Sequence, residues 1–349
     1  MQSGLYTISR KDLCDLFGRL AGKNRVLVPY AKGGRISFGE FDPGKEERIE
    51  LGGIRQAEPL KSFLIGAREK VFNGAKRDER PVILAGVKAC DLSSLKLQDF
   101  VFRNGETADP FYIEKRNNTT IIACDCTCAK ETCFCMAMEG GPYPSHEFDL
   151  GLALADNYFL VEVGSAKGEA IVSGFRMFFK PATAHVKDIR DSARRQVESQ
   201  IRHFIDKRGT PDTSKIRGAV SKHYDYSDFW KEMSSTCVEC GACNLACPTC
   251  HCFLLFDERD RSGAKRFRIW DSCLYSTFAR VAGGHNPRQH LHERLRNRFD
   301  KKFAFFPEVM DYFACTGCGR CIDSCAGDID IREVLKGLVT GSWKKPPHE

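Results

Sequence analysis

At 349 residues, 42% of them hydrophobic and 28% charged, the chain is long enough for two globular domains that each bury a core. Its 18 cysteines are too many for packing alone, and a disulfide scaffold is the poorer reading: such proteins are short and secreted, whereas Met1-Gln2-Ser3-Gly4-Leu5-Tyr6 runs into charged residues with no signal-peptide core. Reduced thiols at close spacing, expected in the cytoplasm, point to metal. The formal charge of +7 would suit nucleic acid, but no recognised binding module accompanies it, and no run reaches the roughly 18 apolar residues of a membrane span.

Along the chain, Cys14 falls in the apolar pattern of an N-terminal helix and reads as core. Residues 25–29, Arg25-Val26-Leu27-Val28-Pro29, predict a short strand, and residues 34–39 a second one in a hairpin. Residues 60–72 read as a helix. A buried strand is expected over 81–86 and a helix over 91–100, with further β-branched or aromatic strands at 119–123 and 158–163. This mixture predicts an α/β domain over residues 1–180 whose topology is not legible locally. Val186, Ile189, Ala193, Val197, Ile201, Phe204 and Ile205 recur at three- and four-residue spacing, so 185–208 is the clearest helix, stopped by Gly209 and Pro211. It opens a helical linker expected over 181–235.

Two cysteine runs follow. Cys237-Val238-Glu239-Cys240-Gly241-Ala242-Cys243-Asn244-Leu245-Ala246-Cys247-Pro248 is a C-x2-C-x2-C-x3-C-P pattern, and Cys315-Thr316-Gly317-Cys318-Gly319-Arg320-Cys321-Ile322-Asp323-Ser324-Cys325 repeats its cysteine spacing. Three cysteines on a tight loop wrap three corners of one 4Fe-4S cubane, and the fourth ligates the other cluster. One cluster is therefore expected on Cys237, Cys240, Cys243 and Cys325, and a second on Cys315, Cys318, Cys321 and Cys247. Zinc also takes C-x2-C pairs, but in two separated pairs rather than in two four-cysteine runs. Ala326 stands where the pattern has proline, which shapes the turn but ligates nothing. The expected architecture is α+β: the α/β domain, the helical linker, and a two-cluster ferredoxin-like domain over 236–349 with a long insertion, residues 248–314.

Basic residues gather late, in Arg259-Asp260-Arg261, Lys265-Arg266-Phe267-Arg268 and Arg294-Leu295-Arg296-Asn297-Arg298. The plainer reading is a solvated surface with helical charge pairs. The functional readings are docking to an acidic partner, or offsetting the negative charge of thiolate-bound clusters.

The two runs, together with Cys247-Pro248-Thr249-Cys250-His251-Cys252, Trp270-Asp271-Ser272-Cys273, Ala282-Gly283-Gly284-His285-Asn286-Pro287-Arg288, Ala89-Cys90-Asp91 and Cys133-Phe134-Cys135-Met136, resemble one family of iron–sulfur subunits. That family comprises the iron–sulfur subunit of anaerobic sulfite reductase and the β subunit of sulfhydrogenase-type NiFe hydrogenases, and the resemblance covers nearly the whole chain. It implies an electron-transfer role between a flavin- and NAD(P)-binding partner and a catalytic or electron-accepting partner: a hydrogenase, a sulfite reductase or a heterodisulfide-reductase-like module. No G-x-G-x-x-G loop in Rossmann context, P-loop or nucleophile elbow is present, so flavin and nicotinamide fall to a partner and no substrate site is expected here.

A third cluster is expected on Cys90, Cys126, Cys133 and Cys135. Cys90 would lie near a helix N-terminus, where the dipole favours a thiolate, and Cys124 and Cys128 are alternates to Cys126. Cys250, Cys252 and Cys273 are left over, either as core thiols or as holders of another metal with His251 or His285. His285 and Arg288 read equally as a plain turn or as a docking loop. The rival functions are a redox enzyme with a substrate-binding cluster of its own near these cysteines, and a zinc-dependent binding protein.

Overall fold

A computed structural model describes residues 4–72, 80–261 and 263–342. The described residues pack into two compact units, one drawn from Met1–Ile65, Ala75–Glu131 and Gly140–Arg202, the other from Gly66–Gly74, Thr132–Glu139 and His203–Glu349.

Numbered along the chain, the strands are β1 (Leu5–Ser9), β2 (Arg25–Lys32), β3 (Arg35–Glu40), β4 (Arg68–Phe72), β5 (Val82–Val87), β6 (Thr119–Cys124), β7 (Leu150–Ala155), β8 (Tyr158–Val163), β9 (Lys180–Pro181), β10 (Phe253–Asp260) and β11 (Gly263–Trp270). The first unit is built on a mixed sheet, ordered β3-β2-β5-β6-β7-β8-β1-β9 among the described residues. Its centre is parallel, β2 to β5 to β6 to β7, and its edges are antiparallel. β5 is buried nearly end to end, as a parallel strand covered on both faces must be. Against the sheet lies the helix Arg10–Ala21, started by Ser9, whose side chain accepts from Asp12 N. It turns Leu13, Cys14, Leu16, Phe17 and Leu20 inward, so Cys14 is a core thiol. The expected strands at 25–29, 34–39, 81–86, 119–123 and 158–163 and the helices at 91–100 and 185–208 all form, the helices as Ala89–Phe102 and Ala184–Arg208. β1 and β7 are not among the strands expected from sequence.

The second unit pairs the hairpin β10–β11 with β4 in a three-stranded sheet. Here the expected helix over 60–72 is corrected. Only Lys61–Leu64 is helical, Ile65 leaves the helix with φ −128°, and Arg68–Phe72 is a strand against β11. The cause is non-local: Glu69 forms a buried ion pair with Arg268, 199 residues downstream. The hairpin also uses up much of the basic surface, pairing Arg266 with Asp257 and Lys265 with Asp260. The core of this unit is aromatic. Trp230, Phe299, Phe303 and Phe313 follow one another at centroid separations of 5.6, 5.8 and 6.0 Å, and Leu335 and Leu338 of the helix Ile331–Thr340 close it.

Candidate metal centres

The two cysteine runs adopt the same local structure. In each, a glycine in the left-handed region, Gly241 at φ +69° and Gly319 at φ +75°, starts a short helix, Ala242–Leu245 or Arg320–Asp323. Around the second run space is so scarce that a Cβ on Gly317 would lie 2.5 Å from Phe134 O, and one on Gly319 2.2 Å from Thr132 O. Phe134 N donates to Gly317 O at 2.9 Å and Thr132 Oγ1 to Asp323 Oδ1 at 3.0 Å, so the segment bearing Cys133 and Cys135 is laid against this run.

Each set of four cysteines rings a cavity. The first, about 510 Å³ including the part open to solvent, is lined by Cys237, Cys240, Cys243 and Cys325, with Cys321 also reaching it. The second, about 280 Å³ on the same measure, is lined by Cys247, Cys315, Cys318 and Cys321. The fourth cysteine of each run thus lines the cavity of the other. Among the described residues no three His, Cys, Asp or Glu side chains are grouped closely enough to hold a single metal ion. Apolar walls surround the rings: Leu295 and Phe299 at the first, Phe134 at the second, Ile331 at both.

The third basic run is the main departure from the plain reading. Arg294, Arg298 and Lys302 recur every four residues along Leu291–Asp300 and the wider turn Lys301–Phe305 that continues it, and all three are buried. Arg294 donates to Leu274 O, Arg288 O and Gln289 O and pairs with Glu239 inside the first run. Arg298 lines both cavities, and its Nε donates to Asn244 Oδ1 at 2.8 Å. Lys302 lines the second; its Nζ donates to Thr249 Oγ1 at 2.9 Å and Ala314 O at 2.8 Å and lies 3.3 Å from Cys247 Sγ. Burial alone would push the Lys302 ammonium down, but Cys247 and Cys250 beside it push it up, and the net direction is up. Arg296 of this run is half-buried over the Tyr224 ring at 4.0 Å, with Nη1 donating to Tyr224 O at 3.1 Å. In the sequence these cations look like the other basic runs, although their four-residue recurrence beside Leu295 and Phe299 distinguishes them.

The leftover cysteines adjoin the same core. Cys250 is hydrogen-bonded to Cys247 and Cys252 to Cys273, while Asn244 Nδ2 donates to Ser272 Oγ at 2.9 Å and Cys273 Sγ at 3.1 Å. Donation from Cys252 is the main cause that pulls the Cys273 thiol down from its ordinary range. Cys90 and Cys126 of the remaining set belong to the first unit, Cys133 and Cys135 to the second. Cys90 lies in the first turn of Ala89–Phe102. Lys88 just before it donates to Leu51 O, Gly52 O and Asp125 O at 2.7–2.8 Å, which ties its loop to the one bearing Cys126. Cys124 is fully buried in the sheet core and Cys128 is exposed. The loop of His285 is closed by its carbonyl, which accepts from Val281 N, and by Asn286 Nδ2, which donates to Ser276 O.

The chain's own atoms fit anionic, thiolate-bound clusters. Arg298 Nη2 and Thr316 Oγ1 are buried with no hydrogen-bond partner among the described residues, and both residues line cysteine-ringed cavities. A buried donor left unmade costs roughly 1–3 kcal/mol, and more when charged. Two buried cations facing thiols are stable when those thiols are ionised around a negative centre.

A family model described as a 4Fe-4S dicluster domain matches residues 236–329, the stretch that carries both rings. The second unit therefore makes this an iron–sulfur protein of the dicluster class. Over nearly its whole length, the chain is 31% identical across 337 residues to the β subunit of sulfhydrogenase 2 from Pyrococcus furiosus, covering 93% of this chain and 96% of that one. The chain belongs to the family of that subunit, the electron-transferring iron–sulfur subunits of hydrogenase type. No helix among the described residues is long and apolar enough to cross a membrane.

Proposed function

We propose that this chain relays single electrons between two partner subunits of a hydrogenase-type complex. Cys237, Cys240, Cys243 and Cys325 hold one 4Fe-4S cluster, and Cys247, Cys315, Cys318 and Cys321 hold the other. The observation that carries the reading is the exchange of the fourth cysteine between the two rings. When bound, the clusters supply one-electron chemistry without bond changes in a substrate. The residues around them hold the thiolates, keep the interior dry and stabilise negative charge. Ile329 N already donates to Cys325 Sγ at 3.3 Å, an N–H···S bond of the kind that raises a cluster's potential.

The first ring lies toward the surface, with Cys240 exposed and Val238 61% exposed, so an electron enters or leaves there. One partner is a flavin- and NAD(P)-binding subunit. The other is a hydrogenase catalytic subunit, favoured over sulfite reductase or a heterodisulfide-reductase-like module by the name of the relative. A third cluster on Cys90, Cys126, Cys133 and Cys135 belongs to the same reading.

Anaerobic purification of the native complex, with every subunit identified and iron and acid-labile sulfide counted, tests this. The expected result is hydrogenase and flavin subunits together with about eight irons per chain, or about twelve with the third cluster. Zinc in place of iron and sulfide overturns it.

A further inference from the structure

We propose that Arg298 is a cation shared by both clusters, whereas Lys302 serves only the second, so that the two side chains raise the two reduction potentials separately. This rests on the two-cluster reading above. Arg298 lines both cysteine rings, is 5% exposed, and has no hydrogen-bond partner for Nη2 among the described residues. Its Nε is fixed by Asn244 Oδ1. Asn244 is itself fixed, because its Nδ2 is occupied by Ser272 Oγ and Cys273 Sγ. The guanidinium is thus aimed by a buried amide rather than held by a counter-charge. Lys302 lines the second ring alone, with its Nζ 3.3 Å from Cys247 Sγ.

Reduction adds one electron, from a partner subunit or in the assay from dithionite, and one negative charge to a cluster, and no bond forms or breaks. A cation fixed nearby in a low-dielectric interior stabilises that added charge, so removing it lowers the potential. A cation between two rings acts on both.

The test is a mediated potentiometric titration followed by EPR on the full-length protein, with iron and sulfide counted on the same samples. Lys302→Met is expected to move one of the two reduction waves to lower potential and leave the other in place. Arg298→Gln is expected to move both, each by about tenfold in the reduced-to-oxidised ratio at fixed potential, or about 59 mV for a one-electron couple. Arg298→Lys keeps the charge at shorter reach and moves both in the same sense by less; it is the variant read should Arg298→Gln not take up iron.

A fully loaded Arg298 variant in which either wave stays put, or a Lys302→Met protein in which both move equally, overturns the proposal. Wild-type protein without acid-labile sulfide instead overturns the two-cluster reading beneath it.

Discussion

Arg294 Nη2 lies 2.7 Å from Glu239 Oε2, joining a helix to the first cysteine run 55 residues earlier. The guanidinium is 2% exposed and its other donors are spent on Leu274, Arg288 and Gln289 carbonyls. Glu239 has φ +55°, a left-handed conformation that a non-glycine residue holds only when its surroundings impose it. Arg294 is the buried cation that its carboxylate meets there.

Arg294→Met should therefore loosen the first ring. Three carbonyls and a carboxylate lose their donor at once; because Glu239 is 37% exposed and can turn to water, the loss comes mainly from the carbonyls, on the order of 1–3 kcal/mol. Anaerobic urea unfolding measures it, and chelator extraction should release the first cluster sooner than the second. A loss under about 1 kcal/mol would show that the helix does not hold the loop.

The exchange of ligands between the runs predicts which cysteine variants resemble one another. Cys325→Ala and Cys237→Ala should abolish the same EPR signal although they lie in different runs. Cys247→Ala should match Cys315→Ala. Each loses about four irons if the cluster is released whole. If Cys325→Ala instead matches Cys315→Ala, each run holds its own cluster and the assignment is wrong.

Gly317 and Gly33 separate close approach from backbone strain. Both have positive φ, +63° and +56°, but a Cβ on Gly33 meets nothing within 4 Å while one on Gly317 meets the backbone of Phe134 and Cys135. Gly33→Ala should cost about 1 kcal/mol. Gly317→Ala should cost at least about 3 kcal/mol, because Thr132–Cys135 must move away from the second run. Equal thermal shifts in the two variants would mean that the contact carries no weight.

Burial raises the Cys14 thiol from 9.0 to about 11, with Glu46 adding to the effect. The folded chain then keeps a proton that the unfolded chain gives up, so this residue's share of stability is complete below about pH 9 and is lost as pH rises toward 11. Cys14→Ala should flatten the fall in stability across that window. At pH 8 Cys14 should also resist iodoacetamide in the native protein, read by mass spectrometry, and become labelled on unfolding. Rapid native labelling at pH 8 contradicts the shift.

How far the sequence could be read depended on how local each feature is. The cysteine spacing within Cys237–Cys247 and Cys315–Cys325 lies inside one short stretch of chain each, so it stands in the sequence complete. The same holds for the helix Ala184–Arg208 and for β5, whose patterns lie within a few turns or a few residues. Arg68–Phe72 could not be read this way: five residues after a helical turn become strand because β11 lies alongside them. The run at Arg294–Arg298 looks like a solvated face until its surroundings are known.

What the sequence settled by itself is a pattern: eight cysteines in two runs of one fixed spacing, legible because each run is a single short stretch of chain. What only the tertiary structure decided is the electrostatic setting of those cysteines. Whether Arg298 and Lys302 meet water or thiols depends on residues more than fifty positions away, and burial turns an ordinary surface charge into one that needs an anion beside it.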